Sequence, residues 1–158
     1  FREPSQLFLN QRDGTFRDVS DQAGAALKVP RVGRGLVIGD LFNDGIQEVV
    51  VENLEGEPII LRPEGGPRNH WISFELAGTK DKLALNARVK VVAGGFAQTD
   101  EIRSGGSYLS QSDFRAHFGL GKAESAEIEV RWPSGVIDRF TAKANRIVEV
   151  VEGKGPKS

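Results

Sequence analysis

Short runs in which apolar and polar residues alternate are the feature that most constrains the fold of this sequence. In the segment AEIEVRW, Ile128, Val130 and Trp132 fall on one face of an extended strand, and charged side chains fall on the other. No segment of helical length shows the apolar spacing of an amphipathic helix. The repeated short alternating segments therefore predict an all-β protein.

The second half of the chain has the turns expected between the strands of a sandwich. The segment WISFEL directs Ile72 and Phe74 to one side and Trp71 to the other. Two glycines join ARVKVVA to FAQTDEI, and residues 133–135 join AEIEVRW to VIDRF, as hairpin turns do. About seven short strands of this kind predict a β-sandwich or jelly-roll-like domain over residues 69–153.

The beginning of the chain has a different organisation. The apolar run LFLN is echoed later by IILR, and between them the strand-like segments GLVIGD and EVVVEN flank an acidic loop. Such a unit is typical of a propeller blade or a related array. We expect residues 1–65 to form a blade-like sheet packed at the N-terminus of the sandwich, with the boundary in residues 62–69, which are rich in proline and glycine. A lone blade has open strand edges, which either the sandwich or an upstream propeller is expected to cover.

The acidic loop GDLFNDGIQEV has the spacing of a calcium loop from which one ligand is missing. Asp40, Asp44 and Glu48 take its first, fifth and ninth positions, Gly45 takes the turn, and Phe42 stands at the third. Calcium takes about six to eight oxygen ligands, so one lost carboxylate is a large part of its shell. We therefore expect a weak or vestigial calcium site. The alternative is an acidic turn without a metal, in which Asp40 and Asp44 bind backbone amides.

Catalytic residues are not expected in this chain. Ser110, Asp113 and His117 are formally a nucleophile, an acid and a base. Groups so close in sequence on a strand do not converge as a catalytic triad must. We therefore predict a protein that is not an enzyme, and we interpret His117 as a hydrogen-bonded structural residue.

Aromatic residues offer a possible surface for a ligand. Trp71 lies on the opposite side of its strand from the apolar residues, and Tyr108 lies in a stretch rich in serine and glycine. Both are candidates for ligand contact, for instance with a sugar, whereas the alternation around Trp132 places it in the core. The stretch around Tyr108 is either a recognition loop or, as such loops more often are, a connector.

Charge and composition exclude several classes of protein. The 21 basic and 22 acidic residues are spread along the chain, so nucleic acid is not an expected partner. No apolar run approaches the roughly 20 residues that span a bilayer, so membrane insertion is not expected. The absence of cysteine excludes disulfides and thiolate zinc sites. Because the sequence also lacks methionine, Phe1 is not expected to be a native start.

Several motifs resemble known families. The segment GRGLVIGDLFNDGIQEVVVEN resembles an FG-GAP or VCBS repeat, the unit of integrin-type β-propellers. The rest of the chain resembles the ASPIC/UnbV domain, through the segments NHWISFELAGTK, NARVKVVAGG, EIRSGGSYLSQSDFRAHFGLG and EVRWPSG. Together these motifs extend over nearly the whole chain.

The resemblance implies a location and a role. It implies a secreted, cell-surface or periplasmic module of a longer propeller-containing chain, in a family with bacterial and animal members. It also implies a non-enzymatic role in binding or adhesion within a calcium-dependent family, with an extracellular protein or glycan as the partner. Two alternatives stay open: a structural cap that terminates a β-propeller, and a carbohydrate-binding module.

The sequence departs from the family pattern at a few positions. Phe42 and Ile46 stand where the family loop usually carries acidic or amide residues, which weakens the expected calcium site. Asn86 replaces a glycine. Because asparagine tolerates a left-handed backbone, we expect that turn to be preserved.

Overall fold

The computed structural model describes residues 1–11, 13–65 and 69–157. These residues form an all-β protein, as predicted, with two short 3₁₀ turns at Ser20–Gln22 and Ala25–Lys28. The strands are β1 (Phe8–Asn10), β2 (Phe16–Asp18), β3 (Gly33–Gly39), β4 (Glu48–Asn53), β5 (Ile59–Leu61), β6 (His70–Ala77), β7 (Arg88–Ala93), β8 (Phe96–Glu101), β9 (Ala116–Gly121), β10 (Ser125–Arg131), β11 (Ile137–Lys143), β12 (Arg146–Val151) and β13 (Gly155–Pro156). Within the described residues, no helix has the length and apolar character needed to cross a membrane.

Two four-stranded sheets form the predicted β-sandwich. One sheet has the order β11-β10-β7-β8 and the other the order β13-β12-β6-β9. Their strand pairs are antiparallel except for β12 and β6, which run parallel with Val148 opposite Phe74. The chain therefore returns to its first sandwich strand near its end, and this pairing ties the two ends of the domain together.

The core lies between these two sheets and follows the alternation of the sequence. Ile72 and Phe74 of β6 are fully buried, as are Val89 and Val130 in the facing sheet. Trp132 is also in the core, as predicted, and its indole N–H donates to the carboxylate of Asp138 at 2.7 Å. The remaining fully buried valines, Val91 and Val150, extend this core along β7 and β12.

The predicted turns are present where their residue types require them. Gly94 and Gly95 join β7 to β8 with φ of 56° and 79°, the left-handed backbone of a tight hairpin. The amide of Gly135 donates to the carbonyl of Trp132 at 2.9 Å and closes the turn between β10 and β11. Asn86 has φ of 66°, so the turn expected to tolerate this residue is preserved.

The N-terminal part forms two small sheets outside the sandwich. β1 pairs with β2, and β3, β4 and β5 form an antiparallel three-stranded sheet. The predicted boundary at residues 62–69 includes Gly66, Pro67 and Arg68, which lie outside the described residues. The division into residues 1–65 and 69–153 therefore stays a prediction.

A serine-rich segment of the sandwich covers the outer edge of β3. Its hydroxyls accept hydrogen bonds from two β3 amides: Ser107 from Leu36 and Ser112 from Ile38, each at 3.1 Å. The amide of Asp113 donates to the carbonyl of Ile38 at 2.9 Å. The segment, interpreted from sequence as a recognition loop or a connector, thus satisfies backbone groups that an open edge would leave unpaired.

Candidate functional site

The acidic loop joins β3 to β4 and is folded by its own carboxylates. Asp40 is buried, and its two carboxylate oxygens accept hydrogen bonds from the amides of Asp44 at 3.0 Å and Gly45 at 2.7 Å. Asp44 in turn accepts a hydrogen bond from the amide of Ile46 at 3.1 Å. These contacts are those of the acidic turn that the sequence offered as the alternative to a metal site.

Glu48 is a fully buried carboxylate at the start of β4. One of its oxygens accepts a hydrogen bond from the amide of Leu41 at 2.9 Å, and the other pairs with the guanidinium of Arg62. Arg62 also contacts Asp44 at 2.5 Å, so one guanidinium bridges two of the three loop carboxylates. Its hydrogen bond to Asp44, followed by the charges of Asp44 and Glu48, raises the pKa of Arg62 against the opposing effect of desolvation.

Arg62 was not identified from the sequence, although a signal for it existed. β4 and β5 pair with Val49 opposite Leu61. The next position in this antiparallel register brings Arg62 opposite Glu48. Recognising EVVVEN and IILR as paired strands would therefore have predicted the ion pair.

Phe42, which replaces a ligand at the third loop position, contacts Arg62. The residue is 66% exposed, and the guanidinium carbon of Arg62 lies 4.9 Å from the ring centroid. This distance allows a cation–π interaction. Phe42 is therefore a surface residue that contacts the loop's cation, and it offers no ligand oxygen from its side chain.

A second arginine joins the loop to the sandwich. Arg115 donates to the carbonyl oxygen of Asp40 at 2.8 Å and to the side-chain oxygen of Asn43 at 2.5 Å. It also pairs with Asp113 at 2.5 Å, and the hydrogen bond to Asp113 is the main reason that the pKa of Arg115 is raised. Asn43 has φ of 57°, a left-handed backbone that asparagine tolerates.

Trp71 packs against the acidic loop. Gly45 has φ of 86°, and a Cβ added there would lie 2.1 Å from the indole of Trp71. The Trp71 ring is also stacked with the imidazole of His117, with ring centroids 5.7 Å apart and planes inclined by 16°. Trp71 is half-buried and Tyr108 is 63% exposed on a different element, so their predicted ligand contacts stay predictions.

The loop as arranged does not fit a calcium ion. Both carboxylate oxygens of Asp40 accept backbone amides, and those of Glu48 accept an amide and a guanidinium. Among the described residues, no three histidine, aspartate and glutamate side chains come together as a group that could hold a metal ion. The contacts present are those of a salt-bridged turn, while calcium binding by Asp40, Asp44 and Glu48 stays a prediction.

The three residues with formally catalytic side chains have separate partners. The hydroxyl of Ser110 donates to the carbonyl of Tyr108 at 2.8 Å, and Asp113 pairs with Arg115. His117 lies 3.5 Å from the hydroxyl of Ser73 and stacks on Trp71. Each side chain thus has a structural role within the sandwich or at its contact with the loop.

We predict that folding stability depends on the protonation of His117. Burial lowers the pKa of His117 below its ordinary value, while Asp40 partly opposes this effect. The unfolded chain therefore binds a proton at His117 more readily than the folded chain does. The contribution of neutral His117 to the free energy of unfolding is fully present above about pH 6.5, and it is lost as the pH drops through the pKa of the folded state. Urea unfolding at several pH values should show this slope, and His117→Gln should reduce it. An NMR titration that placed the imidazole pKa at or above the ordinary value would contradict the prediction.

The fold and the loop define a class of protein: a two-sheet β-sandwich that carries a small acidic-loop sheet on its surface. A family model described as "ASPIC and UnbV" matches residues 78–157, about half of the chain. The chain belongs to this family, as the sequence motifs indicated. The matched residues begin just after β6 ends, so they include every strand of the sandwich except β6 and exclude the acidic loop. An FG-GAP repeat in the N-terminal part stays a prediction.

Three relatives share the name cartilage acidic protein 1. The human and mouse proteins are each 30% identical over an alignment of 135 residues that covers 81% of this chain. The Xenopus tropicalis protein is 30% identical over an alignment of 124 residues that covers 76% of this chain. These shares exceed the family-model match, so the similarity extends into the N-terminal part. The chain spans about a fifth of the length of these curated relatives.

Proposed function

We propose that this chain is a non-enzymatic extracellular binding module that contacts a protein through its N-terminal strands. One observation carries the proposal: all residues of β1 and β2 are exposed, although several are large and apolar. We call the exposed apolar residues of these two paired strands the N-terminal apolar surface, and it consists of Phe8, Leu9 and Phe16.

Apolar side chains gathered on one part of a protein support an interface. Exposed apolar residues are ordinary when scattered singly, but a set on neighbouring strands indicates a contact site. Aromatic residues, Phe8 and Phe16 among them, belong to the residue types that are enriched at protein interfaces. We place the module outside the cell because the relatives' name connects them with cartilage. Within this proposal, calcium would bind only at the acidic loop. There Arg62 already pairs with Asp44 and Glu48.

The test measures retention of the chain on two coated surfaces, one of cartilage matrix protein and one of chondroitin sulfate. We expect retention on the protein coat, and we expect Phe8→Ser with Phe16→Ser to weaken it by about tenfold or more. Leu109→Ser, which changes an exposed apolar residue outside the N-terminal apolar surface, should leave it unchanged. Equal losses in both variants would contradict the proposal, and retention on the glycan alone would favour carbohydrate recognition.

A structural cap at the end of a β-propeller is the second candidate function. Three hydrogen bonds favour it: Ser107 and Ser112 accept from β3 amides, and the amide of Asp113 donates to a β3 carbonyl. They cover an edge that a neighbouring strand could otherwise extend. In that case the N-terminal apolar surface would be buried by upstream blades of the same chain. Slow hydrogen exchange of β1 and β2 in a longer chain that includes upstream residues would favour the cap over the binding module.

A further inference from the structure

We infer that Arg62 is the built-in cation of the acidic loop and takes the charge-neutralising role that calcium has in loops of this spacing. The loop would then keep its shape without a metal, and a divalent cation could bind only by displacing the guanidinium. This inference is independent of the proposed binding function.

The charges of the loop require a cation. Glu48 is fully buried and Asp40 is 3% exposed, so two carboxylates are removed from water within one short loop. A buried carboxylate without a partner of opposite charge is strongly destabilising. Arg62 supplies that charge to Glu48 and Asp44 together through its two terminal nitrogens. A planar guanidinium suits such a bridge because its donors are fixed in direction.

The position of Arg62 follows from strand pairing and from the third loop position. The β4–β5 register, with Val49 opposite Leu61, presents Arg62 at the end of the sheet where Glu48 begins β4. Phe42 covers the guanidinium from a distance of 4.9 Å. Phe42 also stands at the loop position where a calcium ligand is expected. One residue therefore both removes a calcium ligand and contacts the arginine that supplies the positive charge instead.

The other oxygens of the loop are also engaged. The carboxylate of Asp40 accepts the amides of Asp44 and Gly45, and its carbonyl oxygen accepts Arg115. An arriving calcium ion would therefore have to compete with hydrogen bonds at Asp40 and with Arg62 at the other two carboxylates.

The test compares the thermal unfolding of the 158-residue chain with that of Arg62→Gln, in EDTA and in about 10 mM calcium chloride. The unsubstituted chain should show Tm values that agree within about 1 °C in the two solutions. Arg62→Gln should unfold about 5–10 °C lower in EDTA, because Glu48 stays buried without its partner. Calcium should restore about 3–5 °C of this loss by binding the vacated carboxylates.

Two further variants complete the comparison. Arg2→Gln removes an exposed ion pair with Glu55 and should change Tm by less than about 1 °C in either solution. Arg62→Lys keeps the positive charge without the planar fork, so its Tm should lie between those of the unsubstituted chain and Arg62→Gln, and calcium should not change it. If Arg62→Gln does not fold, Arg62→Lys is compared with the unsubstituted chain instead.

Three results would overturn the inference. Saturable calorimetric binding of calcium to the unsubstituted chain or to Arg62→Lys, at below about 1 mM, would show that the arginine does not exclude the ion. An unchanged Tm in Arg62→Gln would show that the buried carboxylate does not need this cation. If Arg62→Gln lowered the Tm and calcium did not raise it again, Arg62 would be an ordinary ion-pair partner and not a substitute for calcium.

Discussion

Replacing Gly45 with alanine is expected to lower the free energy of unfolding by about 2–5 kcal/mol. The backbone at Gly45 has φ of 86°, which an L-residue adopts only with strain. The added Cβ would also lie 2.1 Å from the indole of Trp71, a distance that forces the ring or the loop to move. Urea unfolding followed by far-UV circular dichroism measures the loss, and tryptophan emission should show whether the indole becomes exposed to water.

A matched glycine and a double-mutant cycle separate the two causes of this loss. Gly56 has φ of 91°, but a Cβ added there would meet no atom within 4 Å, so Gly56→Ala should show only the backbone strain, about 1–2 kcal/mol. Combining Gly45→Ala with Trp71→Ala should cost less than the sum of the single losses, because the clash disappears. Equal losses at the two glycines, or additive losses in the cycle, would show that Trp71 does not limit the space at Gly45.

The sandwich could be predicted from the sequence because alternation reports burial directly. The pattern assigns Ile72 and Phe74 to one face of a strand, and both are fully buried. The same logic places Trp132 in the core beside Val130, where the structure has it. A residue's face on a strand depends only on its own segment, so local pattern was sufficient.

Trp71 shows where that logic stops. Alternation correctly placed it on the face opposite Phe74, and this indicated an exposed ring. The structure instead packs the indole against Gly45 of a loop from the other part of the chain. A single strand's pattern distinguishes its two faces but does not show what a second sheet brings to either of them.

The cations of the acidic loop could not be predicted from the loop itself. Arg115 reaches the carbonyl of Asp40 across 75 positions of sequence, and its neighbours in the chain give no sign of this contact. Arg62 could have been placed through strand pairing, whereas the calcium-like spacing of the loop indicated a metal. A spacing motif identifies the anionic groups, whereas the cation that neutralises them depends on tertiary contacts.

Phe74→Ala is expected to lower the free energy of unfolding by about 3–5 kcal/mol. Phe74 is fully buried on β6 and meets aromatic rings from both sheets in edge-to-face geometry. Its centroid lies 6.0 Å from that of Phe118 on β9 and 6.3 Å from that of Phe140 on β11. Truncation therefore removes a contact within one sheet, a contact across the sandwich, and the volume that separates the two layers.

The loss at Phe74 tests whether the two sheets share one core. Phe16→Ala changes a phenylalanine that is 65% exposed on β2 and should alter stability by less than about 0.5 kcal/mol. Urea unfolding of both variants gives the comparison. Because Phe74 also pairs with the strand that closes the domain, hydrogen exchange should quicken at Val148 on β12 as well as on β6. A loss at Phe74 no larger than that at Phe16 would contradict a core shared by the two layers.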